Sequence, residues 1–324
     1  MKNNDTYLIW YHLEDNDGVF SAAIIYNYLV HELNVNKDNI TLEGVTYTIL
    51  NNKYKTKDDF NVLNLFSNII ITDISFNDYN NMIILKEMYN DKLIWIDHHK
   101  PIIELSNKCG FADIKGYRGT EYSAIIHAYK YFYNNDNYPC LFKILSAYDS
   151  WSWEKYNLDF DYCRNVNKGV TFTYNLNINK VIQLVYELLY TDINSKDIID
   201  EMEKTGKLLN EYDDIQAKNQ LDRYADYNWT VNGEKAVMVM FQGPTSSLFF
   251  KTLKNTEYKN GIILKYNPSG IWNVSLYNIN GDYDKVFHCG KYLNQKYGGG
   301  GHAGAAGADL SNEIFNRIMS TKTL

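Results

Sequence analysis

Leu93-Ile94-Trp95-Ile96-Asp97-His98-His99-Lys100 decides how the rest of the chain is read. Four apolar residues, two of them β-branched, are too few for a helix and read as a buried strand. An acid and two imidazoles stand where that strand stops. Left unpaired in an apolar interior these groups would be costly, and a metal ion is their natural partner. A single strand-end His or Asp more often caps a turn. The metal reading gains its force from repetition elsewhere in the chain.

Working outward, Tyr7-Leu8-Ile9-Trp10-Tyr11 reads as a first buried strand running into His12-Leu13-Glu14-Asp15-Asn16-Asp17-Gly18. Helical spacing follows from Val19 to Leu33, which makes the first half of a βα unit. A helix N-cap by Asp17 with a turn glycine would explain one of the three polar groups in that loop. Ile69-Ile70-Ile71-Thr72 is another short apolar run, and it ends at Asp73. Leu141, Ile144, Leu145 and Tyr148 form a helical stripe closed by Asp149, just before Trp151 and Trp153. In an open parallel sheet, ligands bind outside the carboxyl ends of the strands, so these residues are expected to converge on one crevice. Gly116 to Thr120 reads as a loop before a helix from Glu121 to Tyr133. Arg118 in that loop is a candidate phosphate contact, weighed against an ordinary solvated arginine.

At 324 residues the chain is long enough for two domains with separate cores. Its net charge of −7 and the absence of a Lys/Arg block argue against gripping long duplexes through their phosphates. Cys109, Cys140, Cys163 and Cys289 are scattered and form no CxxC pair, so neither a disulfide framework nor a zinc knuckle is expected. No signal peptide is visible and no apolar run is long enough to span a membrane. A cytoplasmic protein is expected.

From Ile178 to about Tyr224 the pattern is helical and increasingly charged, as a connector would be. Strand texture then appears at Trp229-Thr230-Val231, Ala236 to Phe241, Gly261 to Lys265 and Trp272 to Tyr277. Near its end the chain carries Gly298-Gly299-Gly300-Gly301-His302-Ala303-Gly304-Ala305-Ala306-Gly307. Consecutive glycines let a backbone approach a ligand and present N–H groups to an anion, with His302 as a further donor. A flexible hairpin tip is the plainer reading of the glycines alone, but the small residues behind them argue for tight packing.

The collected candidates are His12, Asp15, Asp17, Asp73, Asp97, His98, His99 and Asp149. Oxygen ligands mixed with imidazole suit Mn²⁺, Fe²⁺ or Zn²⁺ better than Mg²⁺. So many carboxylates exceed the needs of one ion, whereas two ions sharing a bridging Asp would use them. Such a pair assists phosphoester hydrolysis, one of the slowest uncatalysed reactions.

His12-x-x-Asp15-x-Asp17-Gly18, Asp73 after its strand, Asp97-His98-His99 and Asp149 together resemble the four motifs of the DHH phosphoesterase superfamily. Gly299-Gly300-Gly301-His302 with Ala305-Ala306-Gly307 resembles the hallmark of the DHH-associated C-terminal domain. The resemblance spans nearly the whole chain. It implies one ion held by His12, Asp15 and Asp73, and another by Asp17, Asp73, His98 and Asp149. It also places His99 beside the scissile phosphate, supported by Asp97, and gives substrate contact to Gly299, Gly300, Gly301 and His302. Two departures stand out. The usual Ser-Leu-Arg is Ser275-Leu276-Tyr277, so an expected phosphate-binding Arg is missing, and Glu14 replaces an apolar residue or Pro.

The expectation is an α/β chain of two domains: a mostly parallel sheet flanked by helices, then a smaller α/β domain, with the active site in the cleft between them. The expected divisions are 1–190 for the catalytic domain, 191–225 for a helical connector and 226–324 for the substrate-binding domain. The expected activity is a phosphodiesterase, monomeric or homodimeric, that uses two Mn²⁺ ions (Mg²⁺ or another divalent ion being possible) to hydrolyse very short RNA or linear dinucleotides to mononucleotides. Rivals are a phosphatase acting on a nucleoside bisphosphate, a RecJ-type single-strand exonuclease, a manganese pyrophosphatase and a non-catalytic nucleotide sensor.

Overall fold

The computed structural model describes residues 5–76, 78–243, 247–281, 287–301 and 303–324. The chain divides into two compact units, one ending at Asn210 and the other beginning at Glu211. The first is built on four parallel strands, β1 (Tyr7–His12), β2 (Ile40–Val45), β3 (Asn68–Thr72) and β4 (Leu93–Ile96), in the order β2-β1-β3-β4. Its α-helices among the described residues are α1 (Asn16–Asn27), α2 (Tyr47–Lys53), α3 (Tyr79–Tyr89), α4 (Lys100–Cys109), α5 (Ala124–Tyr133), α6 (Cys140–Asp149), α7 (Phe160–Tyr174), α8 (Ile178–Tyr190) and the start of α9 (Ser195–Tyr224). The division between units falls inside α9, within the stretch read from the sequence as a connector.

The apolar runs form central strands because both of their faces are covered. Tyr7, Ile9 and Tyr11 of β1 join a core with α1, α5, α6, α7 and α8, while Leu8 and Trp10 point into a second core with α3 and α4. Ile69, Ile70 and Ile71 are all fully buried, and each contributes roughly 1.5–3 kcal/mol of transfer free energy. Strand β2 was not singled out in the sequence. It is an edge strand, and Glu43 and Gly44 break its apolar pattern. The helix expected from Val19 to Leu33 is α1 followed by one π-helical turn, Tyr28–Glu32.

Register does the rest of the positioning. Tyr11 pairs with Thr72, and Thr72 with Ile96. His12, Asp73 and Asp97 therefore come one residue beyond the same rung on three adjacent strands. Gly18 fixes the start of α1 against them, since a Cβ there would lie 2.0 Å from the His12 carbonyl oxygen. Gly18→Ala is expected to cost about 1–3 kcal/mol through overpacking, seen as a lower Tm with loss of activity. An unchanged melt would show that the close approach is not needed.

The second unit carries a mixed six-stranded sheet, β5 (Asp226–Val231), β6 (Glu234–Met240), β7 (Asn260–Asn267), β8 (Ile271–Asn278), β9 (Gly300–Gly301) and β10 (Ala305–Leu310), in the order β5-β6-β7-β8-β10-β9. Only β6 and β7 run parallel among these described strands. Helices α10 (Cys289–Tyr297) and α11 (Asn312–Thr321) complete it, with Leu293 and Ile318 buried beside Trp229, Val274 and Leu310. No helix among the described residues is long and apolar enough to cross a membrane.

Candidate metal centre

The ends of β1, β3 and β4, the first turn of α1 and the last residue of α6 bring six expected ligands together. His12 Nδ1 stands 2.8 Å from Asp15 Oδ2 and 3.7 Å from Asp73 Oδ2. On the other side of Asp73, His98 Nε2 lies 3.3 Å from Asp73 Oδ1, 3.1 Å from Asp149 Oδ2 and 3.6 Å from Asp17 Oδ2. Asp73 thus offers one oxygen to each set. Its backbone sits in the left-handed region, φ 58°, a conformation that Asp tolerates better than most residues. Such strain at a strand end turns the carboxylate into the cluster.

These donors are arranged for a cation. His12 Nδ1, both Asp73 oxygens and Asp149 Oδ2 are buried without a hydrogen-bond partner among the described residues. The short distances to His12 and His98 are ion-pair approaches that lack hydrogen-bond alignment. Leaving buried carboxylate oxygens unpaired is costly, and a divalent cation held among these donors would remove that cost. The same crowding shifts the acid–base equilibria of the cluster. Burial, with the charge of Asp73, raises the Asp15 pKa. Burial and the Asp73 and Asp149 charges raise Asp17 well above the usual carboxylate range. Burial, opposed by His98, leaves Asp149 at about 6. Burial alone would lower the His12 pKa, but its contacts with Asp15 and Asp73 overcome this and raise it to about 11. Without a cation the cluster draws in protons instead. The residues present fit the implied metal pair.

Asp97 is placed differently. It is fully buried, and its Oδ1 accepts from the backbone N–H of His98 (2.7 Å) and His99 (2.9 Å), with His99 Nδ1 at 2.8 Å. Its Oδ2 accepts from Trp95 Nε1 at 3.0 Å. Burial tends to raise its pKa, but the His99 charge and these hydrogen bonds bring it below the ordinary value. The Asp97 charge in turn raises His99 against the effect of burial.

By sequence, no family model and no curated protein matches the chain. By structure, it is similar over 98% of its length to the pGpG-specific phosphodiesterase PggH of Vibrio cholerae, covering 97% of that chain at 14% identity and a TM-score of 0.52. It also matches the DHH domain of a member of a ribosomal-protein family (98% and 85% covered, 14% identity, TM-score 0.61). A further match is exonuclease RecJ bound to manganese (98% and 89%, 12% identity, TM-score 0.51). The chain has the DHH fold.

Within the DHH fold of this chain, two site features were invisible in the sequence. Asp17 is held by the start of α5: Ser123 Oγ donates to its Oδ1 at 2.5 Å, Ile125 N to the same oxygen at 2.9 Å, and Ala124 N to its Oδ2 at 2.8 Å. A carboxylate at a helix N-terminus is favoured by the unpaired N–H groups and the dipole. Only the Ser immediately before the helical run at Ala124 hinted at this.

The second feature corrects an expectation. Arg118 does not stand ready for a phosphate. Its guanidinium donates to the carbonyls of Trp95 (2.8 Å), Ala112 (2.9 Å) and Ile114 (2.6 Å) and stacks 5.1 Å over the Trp95 ring. It ties the loop after α4 to β4. Arg118→Met should lower stability by about 2–4 kcal/mol, because charged hydrogen bonds to carbonyls are lost, with KM unchanged. A raised KM at unchanged Tm would restore the substrate role.

In the second unit the glycine run is ordered. Gly298 caps α10 at φ 68°, β9 pairs with β10, and a Cβ at Gly290 would lie 2.1 Å from the Gly301 carbonyl oxygen. Gly300 faces open space, while His302 lies outside the described residues. Tyr277, standing where the family's Arg was expected, is buried, with its ring 6.0 Å from Phe250.

Proposed function

We propose that the chain is a metal-dependent phosphodiesterase that hydrolyses linear dinucleotides and very short RNA to mononucleotides. The observation that carries this reading is three overlapping donor groups, His12–Asp15–Asp73, Asp73–His98–His99 and Asp17–His98–Asp149, with Asp73 turning one oxygen towards His12 and the other towards His98. His12, Asp15 and Asp73 would hold one ion, and Asp17, Asp73, His98 and Asp149 the second. Divalent ions, when bound, supply the Lewis acidity that water activation and phosphoryl charge neutralisation require. Asp97 keeps the His99 ring oriented through Nδ1 and favours its cationic form. His99 then places a positive donor beside a phosphate oxygen, which helps as negative charge grows there. The glycine hairpin of the second unit, with His302, is proposed to bind an anionic end of the substrate through backbone N–H groups.

The net charge of −7 favours short substrates over long strands, and the likeness to a pGpG-specific phosphodiesterase is in keeping with the dinucleotide class. The test is turnover of a length series from mononucleotides through dinucleotides to long single strands. Dinucleotides should give the highest kcat/KM. Equal values for dinucleotides and long strands would favour a RecJ-like activity, and hydrolysis confined to bisphosphate mononucleotides would favour a phosphatase. Activity with Mn²⁺ should exceed that with Mg²⁺ by about tenfold or more, because His12 and His98 are poor ligands for the harder ion. Equal rates with the two metals would count against histidine ligation.

A further inference from the structure

A cavity of about 190 Å³ adjoins the acidic cluster, lined by Asn16, Asn167, Thr171 and Tyr148 together with Asp17 and Asp149. The proposed chemistry leaves its amide wall unused. No Lys or Arg lines it among the described residues, so it is no phosphate site. Its volume is below the ~300–1,000 Å³ of pockets that enclose whole drug-sized ligands. One small ring fits, and a dinucleotide does not.

Asn16 is 5% exposed, and its carboxamide is held in one orientation. Its Nδ2 donates to Asn167 Oδ1 (2.8 Å), Thr171 Oγ1 (2.8 Å) and the Asn167 carbonyl (3.2 Å). A backbone carbonyl only accepts, which assigns the amide nitrogen to that side. Asn16 Oδ1 accepts no hydrogen bond among the described residues. Helix α7, which supplies Asn167 and Thr171, is packed against α9 so closely that a Cβ at Gly169 would lie 1.9 Å from the Met202 carbonyl oxygen. Asn16 thus lines the cavity with its amide nitrogen committed to α7 and its Oδ1 left as an acceptor able to take an O–H or N–H from a ligand.

Asp17 and Asp149 belong both to the cavity and to the proposed ion-binding set, so whatever fills the cavity lies next to the scissile phosphate. In a nucleotide that neighbour is the sugar, the base being one ring further away. We infer that the cavity receives ribose and that Asn16 Oδ1 accepts a hydrogen bond from the 2′-hydroxyl, so that the chain selects ribonucleotides over deoxyribonucleotides. This rests on the phosphodiesterase reading above. A deoxyribose would leave the Asn16 oxygen buried and unpaired, and sites built around a substrate hydroxyl discriminate strongly against its absence.

The experiment compares kcat/KM for a ribodinucleotide and the deoxyribodinucleotide of the same bases, and Kd for the matching mononucleotides. The wild type should favour ribose by about tenfold or more. Asn16→Ala should bring the ratio towards one. Thr171→Val, which removes one of the three acceptors that orient the carboxamide, should lower the ratio in the same direction, and Thr171→Ser should restore it. Equal turnover of both sugars by the wild type, or a preference that survives both substitutions, overturns the ribose assignment and leaves the phosphodiesterase reading standing. A ratio that follows the base and not the sugar also overturns it. Failure of the wild type to cleave either dinucleotide, while it still hydrolyses bis(p-nitrophenyl) phosphate, overturns the dinucleotide reading itself and this inference with it.

Discussion

Asp73→Asn should all but abolish turnover and remove the thermal shift expected when Mn²⁺ is added to the wild type. The substitution keeps the size of the side chain and its tolerance for φ 58°, so the backbone is undisturbed. It takes away the carboxylate that offers one oxygen to His12 and the other to His98. Losing several kcal/mol of charge stabilisation corresponds to a fall in kcat on the order of 10³-fold, at ~1.4 kcal/mol per decade. In the metal-free protein the loss of the Asp73 charge relieves Asp15 and Asp17 but deprives His12 and His98 of an anionic partner. Near wild-type turnover, or an intact Mn²⁺ shift, would sink the shared-carboxylate arrangement.

Asp97→Asn damages the protein in another way. The carboxylate accepts from two backbone N–H groups, Trp95 Nε1 and the His99 ring, without facing either donor set directly. An amide can keep its oxygen towards the histidines only by turning its own N–H groups against the Trp95 indole N–H. The donor clash and the lost charge should cost about 2–4 kcal/mol of stability. Without the Asp97 charge His99 reverts to the neutral ring that burial favours, and kcat should drop on the order of 10²-fold. Trp95→Phe in the same chain removes the clashing donor, so it should return part of the stability and none of the kcat. Recovery of both together would make Asp97 a purely structural residue.

Much of this was legible in the sequence wherever one chemical type repeats at one structural position. Three short apolar runs, each ending in His or Asp, specify strands buried on both faces with polar ends at one edge, and β1, β3 and β4 are those strands. What stayed hidden depends on residues far apart in the chain. The hydrogen bonds from Ser123, Ala124 and Ile125 to Asp17 span more than 100 positions, and no local pattern encodes such a meeting. Arg118 misled for a related reason. A lone arginine in a glycine loop has the same sequence signature whether it meets a phosphate or three carbonyls of its own chain. Strand β2 hid because an edge position relaxes the demand for continuous apolar residues.

The seat of Asp17 has a thermodynamic corollary. The same carboxylate accepts from the first turn of α5 and stands in the proposed ion-binding set, so fraying of that helix end and occupancy of the ion site would form one linked equilibrium. Amide hydrogen exchange at Ala124 and Ile125 should then gauge occupancy, slowing as Mn²⁺ is added, although neither residue is among the proposed ligands. Conversely, loosening the cap, for instance by Ser123→Gly, would weaken ion affinity from the far side of the carboxylate.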